Sequence, residues 1–248
     1  MASNTVYMFH SIGCEHEIAG ADPHYSYDEI SFVSFLKSID KTGSLQNSLS
    51  NESDQPILTF DDGHKSNFKA AELIGQINGG VADFFVNPNT VGTENYLNWS
   101  ELKKMNDMGM SIQSHSLDHV YLSDLSYSKQ KQQLECSKKI IEDKLGGEVE
   151  ILAPPGGRFN HDTVELCHYL GYKHLSVSKP GRWTGGYISP RIAVLQTTPV
   201  NSLINCAKEE TSFIRKQVLK YQFTGLAKKA LGNRTYDFVR SKILGDVA

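Results

Sequence analysis

The sequence predicts a single α/β domain, a parallel βα fold closed or partly open as a barrel of about seven strands. Three observations predict it. Short apolar runs alternate with longer amphipathic stretches along most of the chain, no Pro/Ser/Gly linker divides one group of units from the next, and 248 residues suffice for one barrel-sized core.

The apolar runs place strands at Val6–His10, Ile57–Asp61, Ala82–Val86, Met110–Ser114, Val149–Ala153, His174–Val177 and Arg191–Leu195. Helices are expected between them at Ser26–Ile39, Lys65–Ile77, Ser100–Met108, Ser128–Leu145, His161–Leu170 and Ser202–Leu219. Ser26 with Glu29 fits a capping box, Ser100 can cap the helix that begins at Glu101, and Gly146-Gly147 tolerates the positive φ that ends a helix. The connection Glu15–Gln55 is long and holds a Ser/Asn-rich stretch, Gly43–Ser53, which predicts an irregular excursion. The barrel domain is expected over residues 1–222 and a basic helical tail over 223–248. That tail holds Lys228, Lys229, Arg234, Arg240 and Lys242 against Asp237 and Asp246. A solvated face is its plain reading, and peripheral contact with a membrane surface is the alternative.

Composition excludes several classes. With 25 Lys+Arg against 28 Asp+Glu and a net charge of −3, no single-sign field favours nucleic acid as a partner. Hydrophobic residues at 39% argue against a disordered chain. Cys14, Cys136, Cys167 and Cys206 form no Cys-x-x-Cys pair, so reduced thiols are expected and neither a thiolate zinc site nor a redox dithiol is signalled. No basic segment followed by a long apolar run opens the chain, and no run of 18 apolar residues occurs later. The expected location is therefore cytoplasmic, with the tail able to hold the protein at the inner face of the membrane.

Three rim motifs carry chemistry. The second strand ends in Thr59-Phe60-Asp61-Asp62-Gly63, at the carboxyl end where parallel βα folds place their ligand sites. An ordinary capped turn would explain these residues on their own. The fourth strand ends in Ser114-His115-Ser116-Leu117-Asp118-His119, whose two histidines are good ligands for zinc and similar ions. With one aspartate from the neighbouring rim they make a His-His-Asp set with coordination positions left for water and substrate. The other aspartate then serves as a base, and chemistry alone does not say which of Asp61 and Asp62 is which. The third motif, Ala153-Pro154-Pro155-Gly156-Gly157-Arg158, either presents a backbone N–H to an oxyanion or is a tight connection.

Thr-Phe-Asp-Asp-Gly, then Ser-His-Ser-Leu-Asp-His about fifty residues later, then Pro-Pro-Gly-Gly resembles the polysaccharide deacetylase family, also called the NodB homology domain or carbohydrate esterase family four. Tyr7-Met8-Phe9-His10 and Pro190-Arg191-Ile192 add to the likeness. The resemblance implies a distorted (β/α) barrel holding one divalent metal and removing acetyl groups from sugars. It assigns Asp61 as general base and Asp62, His115 and His119 as metal ligands. The family's third motif starts with an Arg that orients the base and includes a Tyr whose N–H faces the oxyanion; here Ala153 and Gly156 stand at those places. The N–H survives at Gly156, whereas the arginine contact is lost unless Arg158 or Arg191 supplies it. The family's late His, acid for the leaving amine, has no counterpart after His174, and His10 is the best-placed substitute. Trp183, in the loop after the sixth strand, is expected either to stack on the sugar or to pack in its loop.

The resulting expectation is a metal-dependent hydrolase that deacetylates an acetylated amino sugar, a precursor in surface polysaccharide biosynthesis. Ligand type favours zinc, with cobalt, nickel or iron as alternatives. The rival readings are a hydrolase of another amide, such as a formamide or cyclic imide, and a catalytically silent carbohydrate-binding barrel that retains the metal.

Overall fold

The computed structural model describes residues 4–14, 21–50, 54–208 and 210–231, with the backbone alone for 224–231. Tail residues from 232 onward lie outside the described residues. In chain order the elements are β1 (Val6–Phe9), β2 (Ser11–Ile12), β3 (Ser26–Tyr27), α1 (Glu29–Lys37), α2 (Leu45–Ser50), β4 (Ile57–Phe60), α3 (Ser66–Asn78), β5 (Asp83–Val86) and α4 (Trp99–Asp107). There follow β6 (Ser111–Ser114), α5 (Tyr127–Leu145), β7 (Ile151–Leu152), α6 (His161–Tyr169), β8 (His174–Val177), β9 (Ile188–Pro190), β10 (Ile192–Ala193), α7 (Val200–Ala207) and α8 (Ser212–Leu231).

The main sheet has eight strands in the order β10-β1-β4-β5-β6-β7-β8-β9. All its pairings are parallel. β9 pairs with β8 and β10 pairs with β1, and only Arg191 separates the two. One interrupted strand therefore nearly closes the sheet into a (β/α) barrel with seven strand positions. The sequence placed this strand at Arg191–Leu195; it begins earlier, at Ile188, because its first half is needed to pair with β8.

Alternation along the strands builds two cores. Val6, Ile57, Phe85, Ile151 and Ala153 cluster inside the ring with Leu45 and Trp183. Tyr7, Phe9, Leu58, Phe60, Phe84, Leu152 and Leu175 belong to the larger cluster under the helices. On that outer face Phe9, Phe60 and Phe84 stack across β1, β4 and β5 with ring centroids 5.3 and 4.8 Å apart. Such cross-strand aromatic pairs help fix the register.

Several helix ends differ from expectation. α1 is capped by Asp28, whose carboxylate accepts from the Ser31 N–H, so Ser26 is left to β3. α4 is capped by Asn98 in a capping box with Glu101, two residues earlier than the expected Ser100 cap. Gly146 ends α5 at φ 73° as expected. The single helix expected over Ser202–Leu219 is two, α7 and α8. Continuing α7 would carry its buried side, Leu203 and Cys206, onto Glu210, which is exposed. The Ser/Asn-rich stretch is helical from Leu45 to Ser50, because the Asp83 carboxylate accepts from the Leu45 N–H at 2.6 Å and the Gln46 N–H at 3.3 Å.

α2 and Trp183 shut the N-terminal end of the barrel. Trp183 exchanges backbone hydrogen bonds with Asn4, just ahead of β1, and is only 7% exposed. It therefore sits at the end opposite the rim and cannot stack on a substrate there: the loop after β8 runs back down the barrel before β9 begins. Its ring meets fully buried His174 at 5.1 Å. Neither nitrogen of His174 has a hydrogen-bond partner among the described residues. Burial keeps this imidazole neutral, with its pKa lowered to about 4, and pushes the Asp83 carboxyl up to about 6.

These two groups act on stability in opposite directions. A base whose folded pKa lies below its unfolded value withdraws stability as pH falls through that interval. Asp83 keeps a proton that the unfolded chain releases, and so adds stability as pH falls through about 6. In His174→Leu only the first effect disappears. The unfolding free energy of the variant relative to wild type is expected to rise by roughly 2–3 kcal/mol between pH 7 and pH 4.5. Urea unfolding at both pH values checks this, and a flat difference would mean that His174 is not held neutral.

Candidate active site

Four strand ends deliver the site. His10 follows β1, Asp61 and Asp62 follow β4, His115 follows β6, and Ala153 to Gly157 follow β7. Asp62, Ser116 and His119 all have positive φ, at 73°, 65° and 55°. Left-handed non-glycine residues cost free energy, and three of them cluster on the two loops that carry the ligand candidates.

Asp62 Oδ1 lies 3.3 Å from His115 Nε2 and 3.2 Å from His119 Nε2. One candidate ligand atom from each residue falls within 4.8 Å of the other two. His115 is buried, and its Nδ1 lies 2.6 Å from the Ala153 carbonyl. That contact makes Nδ1 the donor and leaves the Nε2 lone pair aimed at a carboxylate oxygen, an arrangement that calls for a cation between them. Asp62 Oδ1 is buried and has no hydrogen-bond partner of good geometry among the described residues, which suits an anionic metal ligand. The donor set thus fits a divalent ion.

Asp61 is a different carboxylate. It accepts two hydrogen bonds from the Arg191 guanidinium, Nη1 to Oδ1 at 2.6 Å and Nη2 to Oδ2 at 2.9 Å. Arg191 Nη1 also donates to Thr59 Oγ1 at 3.1 Å, and the guanidinium lies over the Phe85 ring. Burial would raise Asp61, yet the Arg191 charge brings it below its ordinary value. The residue that interrupts the closing strand therefore makes the contact missing from the third motif. Arg158 does not: it lies over the Tyr121 ring and 3.9 Å from Asp124.

His10 stands against Tyr25 with ring centroids 4.5 Å apart, and its buried Nδ1 has no hydrogen-bond partner among the described residues. It lies close enough to Asp61 and Asp62 to interact electrostatically with both. Gly156 has φ 58°, and the two following N–H groups return to Pro154 and Pro155. Residues that sequence reasoning passed over are Thr59, which helps seat Arg191, and Tyr121, which lies beside Gly156. The only signal for Tyr121 was an aromatic two places after His119.

Fold and site together define a βα-barrel protein whose Asp62, His115 and His119 could bind a metal beside an arginine-held aspartate. The polysaccharide deacetylase family model matches residues 50–175, and the chain belongs to that family. YxkH of Bacillus subtilis (strain 168), described as a polysaccharide deacetylase, is 30% identical over 141 residues, 56% of this chain and 50% of the relative. The chain thus spans about half the length of that relative. Among solved structures, the deacetylase PplD of Streptococcus pyogenes, in complex with acetate, superposes with a TM-score of 0.73 at 22% identity, covering 82% of this chain and 97% of the other. The polysaccharide deacetylase BC0361 of Bacillus cereus gives a TM-score of 0.72 at 23% identity over 82% and 69%. These likenesses establish the shared barrel. The matched residues 50–175 include Asp61, Asp62, His115, His119 and Gly156 but neither His10 nor Arg191.

Proposed function

We propose that the protein is a metal-dependent hydrolase that removes the acetyl group from an acetylated amino sugar. The observation that carries this reading is the Asp62, His115 and His119 donor set beside an ionised, buried aspartate. Asp62, His115 and His119 would hold a divalent ion, zinc first by ligand type, which would supply Lewis acidity and lower the pKa of water. Asp61 takes the proton of the attacking water, and Arg191 fixes the orientation of its two oxygens. The Gly156 N–H faces the developing oxyanion. His10 delivers a proton to the departing amine. Arg191 also removes one reason for reading the barrel as catalytically silent, the missing arginine of the third motif.

Acetate release from N-acetylglucosamine oligomers, measured before and after chelation and after zinc is restored, tests the proposal. Release that survives thorough chelation would rule out the metal, and no release from any acetylated sugar by zinc-loaded protein would favour the silent barrel.

We also propose that α8 meets an anionic lipid surface, in keeping with action on a surface polysaccharide precursor at the cytoplasmic face of a membrane. Leu219 and Phe223, 54% and 71% exposed, share one side of the helix. Residues 212–231 hold Arg215, Lys216, Lys220, Lys228 and Lys229 and no acidic residue, in a chain of net charge −3. No helix among the described residues is long and apolar enough to cross a membrane. Wild type should co-sediment with phosphatidylserine vesicles at low salt, and Leu219→Glu with Phe223→Glu should abolish it. Equal sedimentation of both would remove the idea.

A further inference from the structure

We infer that Tyr121 is a substrate-binding residue that stacks on a pyranose ring of the sugar, standing where Gly156 leaves room for it. The inference rests on the deacetylase reading and names a contact on the substrate.

Tyr121 lies on the rim, two residues beyond His119 and against the Gly156 turn, yet it is 42% exposed. Exposed aromatics are usually mobile, and this one is held. Arg158 places its guanidinium carbon 4.2 Å from the ring centroid, and Asp124 draws the same guanidinium from 3.9 Å. The next residue, Leu122, is fully buried and pins the backbone. On the remaining side the ring edge sits over Gly156. A Cβ at that position would lie 2.7 Å from Tyr121 Cε1, closer than two carbons can approach. Gly156 thus leaves room for the ring, and its own φ of +58° also favours glycine.

A ring held by Arg158, Gly156 and its own backbone, yet 42% exposed, has already lost side-chain freedom that binding would otherwise remove. Pyranose rings carry an apolar face of C–H groups that packs on such a surface. The ring stands where the loop that carries His119 meets the turn that carries Gly156.

The test uses the zinc-loaded full chain and an N-acetylglucosamine tetramer, with Kd from calorimetry and kcat, KM and zinc content from parallel assays. Tyr121→Ala should weaken Kd and raise KM by roughly 3- to 10-fold, with kcat and zinc content near wild type. Tyr121→Phe should keep wild-type values. Equal tetramer affinity in wild type and Tyr121→Ala would overturn the inference, as would joint loss of kcat and zinc, which would make Tyr121 a prop for His119. A wild type that binds the tetramer but releases no acetate defeats the deacetylase reading instead, and a wild type that does not bind it defeats the stacking.

Discussion

Asp61→Asn is expected to lower turnover by roughly 10²–10⁴-fold while zinc content stays near wild type. The amide cannot take a proton from water, and Asp61 is not among the three residues whose donor atoms converge. Asp62→Asn is expected to do the opposite in its first effect. It replaces the anionic donor that faces both histidines, so zinc is lost, and activity is lost as a consequence. His10→Ala should retain zinc and slow turnover, because it removes the group proposed to protonate the amine. Mass-spectrometric zinc content and acetate release on the three variants separate the roles. Zinc lost from Asp61→Asn but kept by Asp62→Asn would reverse the two aspartates, and full activity in His10→Ala would assign the leaving-group proton elsewhere.

The second large effect falls on stability. Arg191→Met leaves Asp61 buried, charged and without its bidentate partner, a situation that costs about 3–5 kcal/mol. For a chain of this size that corresponds to a fall in Tm of roughly 6–20 °C. Combining Arg191→Met with Asp61→Leu removes both charges and should recover part of the loss, since an apolar pair of similar volume is often no less stable than a buried ion pair. Arg191→Lys should fold but lose turnover, because an ammonium cannot hold both carboxylate oxygens at once. Thermal unfolding of the single and double variants decides the matter. A double variant no more stable than Arg191→Met would show that the guanidinium supports the strand and not the carboxylate.

The strands and the ligand loops were legible because their signals are local. Ile57-Leu-Thr-Phe is a continuous apolar run, and Asp61-Asp62 and His115 to His119 lie within a few residues of one another. What was not legible depends on partners distant in sequence. α2 reads as an irregular stretch until Asp83 caps it from 38 residues away. Trp183 reads as a rim aromatic until its loop turns back to Asn4. Arg191 was named as a candidate for the missing contact on the base, but nothing near it in sequence chooses it over Arg158. The choice follows from the closing strand, whose interruption aims one side chain into the barrel and leaves the other in a surface turn.

That strand also sets an order of assembly. Asp61 and its guanidinium partner are 130 residues apart, and the partner lies in the last strand of the ring in chain order. Until that strand docks on both β8 and β1, the carboxylate proposed to accept a proton has no cation to hold it in place. Contacts so distant in sequence form late and slowly during folding. Ladder, helices and metal loops can all be present in a chain that has not yet become competent, so recovery of activity during refolding should trail recovery of secondary structure.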